Sequence, residues 1–396
     1  MLRKITIAAI TVVMAVCAGC ESQAQSKRAA RQRWDKTTAR VKLALAQQQY
    51  TSGNYERAVK AVQDCLNTDP NNAAARRLYG KLLLGNGRRD EAIGQLSLSL
   101  ELDEKLHESW YWLGVAAEES RDYEKAHEHY NTALSLEPTN VDYILAVADV
   151  QIARNNYSQA VELLTRKMSA LPRDVSLKVA LAELMLRIGK NERAIELYKQ
   201  AMLMTGDDSN IAESLGFCLI FSGKWDEAAE IFDRLFEQCE DEHKKKLYLQ
   251  VTALCSMNSA QYGRAVNCYN QLSIDDRDNA EIWVKMGQAI LGTGAANRAL
   301  MCGRKALTLQ PGCSDAIVLI GCAQYAGGDY KAALASFEKI AADRENAHLS
   351  LLMRARCYEQ LGQSGKAERA YKRAREINPH SELGDFIAKA KSVRAR

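Results

Sequence analysis

The sequence predicts an all-α solenoid of about ten repeated helix–turn–helix units. Three observations support this prediction. A 34-residue pattern recurs along most of the 396-residue chain. Alanine occupies one position of every copy, and a second position holds only glycine or alanine. The five prolines all fall at the same point of the pattern. A hairpin of this length cannot bury its own apolar face, so the copies are expected to stack on their neighbours.

The clearest copy of the pattern runs from His107 to Asn140. Its apolar residues recur every three or four positions, which predicts two helices joined by a turn. Gly114 and Ala126 are expected to be small because the two helices cross closely at those positions. Pro138 follows the second helix, where proline ends helical structure.

The small crossing residues align the copies along the whole chain. In the second helix the spacing is 34 residues throughout, with a single interval of 37 that places three extra residues near 243–245. We expect those residues to lengthen a helix, to change the pitch of the stack or to mark a boundary between two blocks. The second-helix residues are Ala58, Ala92, Ala126, Ala160, Ala194, Ala228, Ala265, Ala299, Ala333 and Ala367.

The spacing of Trp110, Leu113, Gly114, Tyr130 and Pro138 resembles the tetratricopeptide repeat (TPR). The resemblance implies a right-handed superhelical solenoid, closed by a capping helix over 382–396 that covers the last apolar face. The ten predicted units are 39–72, 73–106, 107–140, 141–174, 175–208, 209–242, 246–279, 280–313, 314–347 and 348–381.

The N-terminal segment differs from the repeats. A short basic start and an apolar run predict a signal peptide over 1–19. Ala18-Gly19-Cys20 resembles the lipobox of bacterial lipoproteins, although Cys17 stands where that family usually has leucine. The resemblance implies that Cys20 is acylated, and Glu21 after it favours the outer membrane. Cleavage without acylation and retention as a short membrane anchor are the alternatives.

Residues 20–38 are predicted to be a polar tether. Between residues 27 and 36 it has five cationic side chains and a single aspartate, Asp35. The tether is interpreted either as a segment attracted to anionic lipid headgroups or as a solvated linker. The chain shows no basic stripe with interleaved aromatic residues, and its net charge is only +4, so nucleic acid is not an expected partner.

No pattern of catalytic or metal-binding residues is found in the sequence, so neither an enzyme nor a cofactor is expected. His127 and His129 are two residues apart, and on a helix they point in different directions. Both are interpreted as solvated surface histidines. Beyond Cys17 and Cys20 the chain has nine cysteines, most of them inside predicted helices, and these are interpreted as small buried thiols. A Cys255–Cys268 bridge is the one disulfide considered.

In TPR proteins the first helix of each unit lines the inner surface, and the resemblance carries those positions onto this chain. Units three to five then present acidic residues beside a tyrosine, and units six and seven present apolar ones. Arg40, Arg77 and Lys81 form a basic end. The predicted partner-binding residues are Glu108, Tyr111, Glu118, Glu119, Asp142, Asp149, Glu183, Phe217, Ile220, Phe221, Leu254 and Met257.

Acidic and apolar positions together predict a groove for a partner segment with basic and hydrophobic side chains. The alternative is that the apolar residues pack against adjacent turns and that the charges form a solvated face. We therefore expect a non-catalytic protein-binding scaffold of the bacterial cell envelope, lipid-anchored and facing the periplasm. An accessory subunit for glycan handling or export is the second hypothesis, with Tyr111, Trp112 and Tyr325 as candidate aromatic platforms.

Overall fold

The structure is a computed structural model, and it describes residues 2–206, 208–343 and 346–378. Within these ranges the chain consists of helices joined by turns, without a strand. Consecutive helices pair, as the repeat pattern predicts, and this confirms the all-α TPR fold class. The chain divides into two compact units, Met1–Ile188 and Gly189–Arg396.

In the first unit, consecutive helices pack against each other from α1 onwards. Its helices are α1 (Leu2–Thr51), α2 (Tyr55–Thr68), α3 (Ala73–Gly85), α4 (Arg89–Leu102), α5 (His107–Glu119), α6 (Tyr123–Leu136), α7 (Val141–Ala153), α8 (Tyr157–Ala170) and α9 (Val175–Arg187).

The second unit has the same alternation of helices. They are α10 (Asn191–Thr205), α11 (Ser209–Phe221), α12 (Trp225–Gln238), α13 (Glu242–Asn258), α14 (Tyr262–Asp275), α15 (Ala280–Gly292), α16 (Ala296–Leu309), α17 (Ser314–Ala326), α18 (Tyr330–Lys339), α19 (Ala347–Gln360) and α20 (Ser364–Ile377).

The small residues lie where the helices of a pair touch. All ten second-helix alanines are buried, with at most 2% of any of them exposed. A Cβ atom added to Gly114 would lie 2.5 Å from the ring of Tyr130, and one added to Gly216 would lie 2.7 Å from the ring of Phe232. Real Cβ atoms do not approach other atoms so closely, so the recurring small residue at this position is a steric requirement of the packing.

Each turn within a helix pair contains one residue with positive φ. In seven of the ten described turns it is glycine, which adopts this conformation at little cost. In the other three it is Arg121, Asn155 or Ala260, with φ near +60°. The glycines are Gly53, Gly87, Gly189, Gly223, Gly294, Gly328 and Gly362.

The three extra residues near 243–245 lengthen a helix. α13 has 17 residues, whereas the first helices of the neighbouring repeats, α11 and α15, have 13. Asp241 caps α13 by accepting hydrogen bonds from the backbone of His243 and Lys244, at 2.8 and 3.3 Å. The division between the two compact units falls at Ile188, well before this insertion.

The N-terminal segment continues the first repeat. α1 runs without a break from Leu2 to Thr51, so the backbone of the predicted tether is helical. The side chains of residues 1–25, including Cys20, and the predicted capping helix over 382–396 lie outside the described part of the structure. None of the helices in the described ranges has an apolar stretch long enough to cross a membrane.

Candidate functional site

The acidic candidates lie on α5, α7 and α9, the first helices of three successive repeats. We call Glu118, Asp142, Asp149 and Glu183, together with Tyr111, the acidic surface. Asp142, Glu118 and Asp149 lie close enough to Tyr111 to raise its pKa, after a larger effect from burial. Glu118 and Glu183 in turn lie close enough to Asp149 to raise its pKa. The structure therefore brings these sequence-predicted residues together.

Two predicted acidic residues are already neutralised within the chain. Glu108 forms an ion pair with the largely buried Arg77 of α3. Glu119 lies 3.5 Å from Arg89 of α4. Both pairs join neighbouring repeats, and their partly exposed setting makes each worth at most about 1 kcal/mol. These two residues contribute less free negative charge to a partner than the sequence pattern indicates.

Asp142, Asp149 and Glu183 have no ion pair or hydrogen bond from the side chains that the structure describes. The pKa of Asp149 is raised, first by desolvation and then by the nearby carboxylates of Glu118 and Glu183, while Arg187 partly offsets the shift. The side chain of Asp149 is nevertheless exposed to solvent. The acidic surface thus has an excess of negative charge and is partly desolvated. A cationic side chain of a partner would interact with it more strongly than with a carboxylate in water.

Tyr111 lies in an aromatic cluster. Its ring stacks on Tyr143 at 5.1 Å between centroids and approaches Tyr130 at 5.4 Å. Tyr143 is in turn held by His107, whose Nδ1 lies 2.7 Å from the phenol oxygen. This packing fixes the ring of Tyr111 beside the carboxylates.

The apolar candidates lie on α11 and α13 of the second unit. Phe221 and Leu254 are exposed, by 69% and 50%. Phe217 packs edge-on against Phe232, at 5.1 Å between centroids, and Met257 packs against a cluster of buried residues from its own and the following repeats. Ile220 is half-buried. Phe221 and Leu254 are therefore available to a partner, whereas Phe217 and Met257 mainly support the fold.

An open cleft of about 550 Å³ lies between α13 and α15. Leu254 and Met257 line it, with Leu247 and Val251 from the same helix and Ile282 from the next repeat. A cleft with this lining fits apolar side chains of a bound segment.

The basic end has a geometry that sequence reasoning missed. The ammonium of Lys81 lies between two aromatic rings, 4.4 Å from the centroid of Tyr50 and 4.7 Å from that of Trp112. Tyr50 and Trp112 lie on first helices, 62 residues apart. The signal in the sequence that could have indicated their contacts with Lys81 is that all three residues occupy first helices of successive repeats. Arg77 pairs with Glu108, and Arg40 is exposed.

The aromatic platforms proposed for a glycan are occupied by contacts within the chain. Trp112 faces Lys81, and Tyr111 stacks on Tyr143. Tyr325 packs edge-on against Tyr330, at 5.3 Å between centroids.

The two histidines diverge, as expected, but they are half-buried rather than fully solvated. His127 lies 2.5 Å from Gln151 Nε2, on the next repeat. His129 packs against the ring of Trp110. Desolvation lowers the pKa of both. In the described ranges no group of histidine, cysteine and acidic residues is arranged to hold a metal ion.

All nine cysteines beyond Cys20 are free thiols, so the structure does not contain the Cys255–Cys268 bridge. Six of them are buried. Burial raises the pKa of Cys255 and Cys268 to about 11, which keeps both protonated at neutral pH. They fill space as small apolar residues.

Family models match four segments of the chain. Tetratricopeptide repeat models match residues 33–110, 107–140 and 155–215. A model of the cilia and flagella-associated protein 70 middle TPR-like domain matches residues 255–378. The segment 107–140 is the repeat with the clearest sequence pattern.

Similar proteins include an auxiliary subunit, NAA15, of the N-terminal acetyltransferase A complex of Arabidopsis thaliana. It is 26% identical over 109 residues, which are 28% of this chain and 12% of that protein. The chain thus spans only a small part of this relative's length.

Solved structures align over longer stretches at lower identity. A structure of Naa15/Naa10 bound to HypK-THB aligns with 90% of this chain and 66% of that chain, with 16% identity and a TM-score of 0.38. Pseudomonas aeruginosa pilF aligns with 54% of this chain and 97% of that chain, with 16% identity and a TM-score of 0.46. With its repeated helix pairs and its matches to tetratricopeptide models, the chain is a tetratricopeptide repeat protein.

Proposed function

We propose that the protein is a non-catalytic scaffold that binds an extended or helical partner segment along the first helices of its repeats. The observation that carries the proposal is the acidic surface, where Asp142, Asp149 and Glu183 have no cationic partner from the described residues. A partner segment with lysine or arginine side chains would supply the missing charges.

The second unit supports an apolar contribution to the same function. Phe221 and Leu254 are exposed, and Leu254 borders a cleft lined by both apolar and polar side chains. Large apolar side chains at the centre of an interface supply most of its binding free energy, while rim charges mainly set partner choice. Hydrophobic residues of a partner are therefore expected to bind the second unit.

We further propose that the scaffold belongs to the bacterial cell envelope and is anchored through acylated Cys20. The support comes from the sequence, namely the apolar run and the Ala-Gly-Cys ending. Replacement of Cys20 by serine is expected to release the protein from membranes. Continued membrane association of the mutant would point to an uncleaved anchor or to a protein tether instead of acylation.

The test of partner binding uses a photo-crosslinking amino acid at Glu183 and, separately, at Phe221, in cells. We expect both positions to capture a protein, with Met301 as the control. Met301 is exposed by 69%, the same fraction as Phe221, but lies on the second helix α16. Capture from Met301 as efficient as from Phe221 would remove the assignment of the binding face.

The captured partner then allows a quantitative test. The double variant Asp149→Asn/Glu183→Gln is expected to weaken its binding about tenfold, since two exposed charge pairs are lost. The matched control is Glu101→Gln/Glu162→Gln, which removes two exposed carboxylates from second helices of the same unit. Equal losses from both double variants would show that only net charge matters.

A further inference from the structure

The described part of α1 is strongly basic. Between residues 26 and 51 it has seven lysine and arginine residues and one carboxylate, Asp35. The net charge of this stretch is +6, whereas that of the whole chain is +4, so the rest of the chain is slightly acidic. Five of the cations share one property, exposed side chains without an ion pair among the described residues. They are Lys27, Arg28, Arg31, Arg33 and Lys36.

The same helix has an exposed apolar line. Trp34 is 72% exposed, Val41 68% and Leu45 48%. The intervals of seven and four residues place these side chains on one face of the helix. That face points away from the core, which α1 contacts through Ala39, Ala46 and other residues. Lys27 and Arg31 precede Trp34 by seven and three residues and share its face.

We propose that this face of α1 binds the surface of an anionic lipid bilayer. Residues 27 to 45 span about 27 Å of helix, which would lie parallel to the membrane plane. Lys27 and Arg31 would contact lipid phosphates, the other cations would add attraction to the anionic surface, and Trp34, Val41 and Leu45 would enter the headgroup region. This interaction goes beyond the partner-binding function proposed above, because it uses no residue of the acidic surface and neither Phe221 nor Leu254.

A bilayer fits these observations better than a nucleic acid or a second protein copy. A nucleic acid would pair with the cations but would leave the aliphatic line of Val41 and Leu45 in water. A second copy of α1 would bring two helices of the same charge together, which is unfavourable. An anionic bilayer satisfies both the charges and the apolar line.

The experiment uses the full-length protein with Cys20→Ser, so that acylation does not contribute, and vesicles of neutral phosphatidylcholine with or without 30% anionic phosphatidylglycerol, on the order of a physiological surface charge. Sedimentation is expected to show binding to the anionic vesicles only, weakening as salt is added. The triple variant Lys27→Gln/Arg31→Gln/Arg33→Gln is expected to lose about 100-fold in affinity, near fivefold per cation. Trp34→Gln is expected to lose about tenfold.

A matched control removes the same charge elsewhere. Arg166→Gln/Arg304→Gln/Lys305→Gln changes three exposed cations on second helices, and its vesicle affinity should stay within about twofold. Equal binding to neutral vesicles, or equal losses in the two triple variants, would overturn the proposal. So would tighter binding to single-stranded DNA that Trp34→Gln leaves unchanged, or dimerisation through Trp34 without vesicle binding. Failure here leaves the crosslinking results for Glu183 and Phe221 unaffected.

Discussion

The phenol of Tyr130 donates a hydrogen bond of 2.7 Å to the carboxylate of Glu118, from the second helix of the third repeat to the first. The same relationship recurs in the tenth repeat, where Tyr371 donates to Glu359 at 2.9 Å. A buried core aromatic residue thereby orients a carboxylate on the exposed face of its own repeat. The position of Glu118 on the acidic surface is thus set by the packing of the helix pair.

Tyr130→Phe is expected to destabilise the protein by about 2 kcal/mol, because a hydrogen bond to a charged group is lost at a site where Tyr130 is only 1% exposed. The free energy of unfolding in urea measures the effect. Tyr123→Phe in the same helix is the control, since the Tyr123 hydroxyl has no hydrogen bond from the described residues. Similar losses in both variants would show that the Glu118 contact contributes nothing.

Asp149→Asn is expected to stabilise the folded protein at pH 7. The pKa of Asp149 is raised above its ordinary value of 3.8 by desolvation and by neighbouring carboxylates. Between 3.8 and the raised pKa, the folded state binds more protons than the unfolded state, so stability falls as the pH rises. Above that window the ionised Asp149 is fully destabilising.

The advantage of the asparagine variant should therefore shrink as the pH is lowered and vanish below pH 3.8. Thermal unfolding of both proteins over a pH series measures this difference. A constant difference at every pH would mean that the substitution acts through packing and not through the charge of Asp149.

Gly114→Ala is expected to cost about 1–3 kcal/mol, because the new Cβ would overlap the ring of Tyr130. Gly94→Ala is the matched control. It also replaces a glycine inside a helix, but its Cβ would meet no atom within 4 Å. The control is expected to gain about 0.5–1 kcal/mol from reduced freedom of the unfolded chain. Opposite signs in the two unfolding measurements are the diagnostic result.

Ala260→Gly is expected to stabilise the protein by about 1 kcal/mol, since alanine is held at φ of 59° in the turn between α13 and α14. The reverse change in the preceding repeat, Gly223→Ala, should cost a similar amount. Gly223 has φ of 71° and open space around it, so only backbone conformation changes. Calorimetric unfolding of both variants checks the pair, and equal signs would contradict the strain assigned to Ala260.

The repeat pattern predicted the packing of the helix pairs well, because the alanines at 34-residue intervals and the residues they touch belong to one hairpin. It predicted the binding face only in part. The position of a residue in the first helix indicates which surface its side chain faces. It does not indicate which side chain of the preceding repeat will form an ion pair or ring contact with it. Glu108 and Glu119 were placed on the correct helix, yet arginines of the second repeat neutralise them. Lys81 between Tyr50 and Trp112 went unpredicted for the same reason.

Because α1 is unbroken, the packing of the first repeat determines the direction in which Trp34 points. No turn separates Trp34 from Val41, so the buried residues of α1 fix the rotation of the whole helix about its axis and, with it, the direction of Trp34. One alanine inserted between them would turn Trp34 by about 100° around the helix axis, away from Val41 and Leu45. Seven inserted residues would return it to within about 20°. Vesicle affinity that drops with one insertion and recovers with seven would show that the orientation of the repeat array at a surface is set by helical phase.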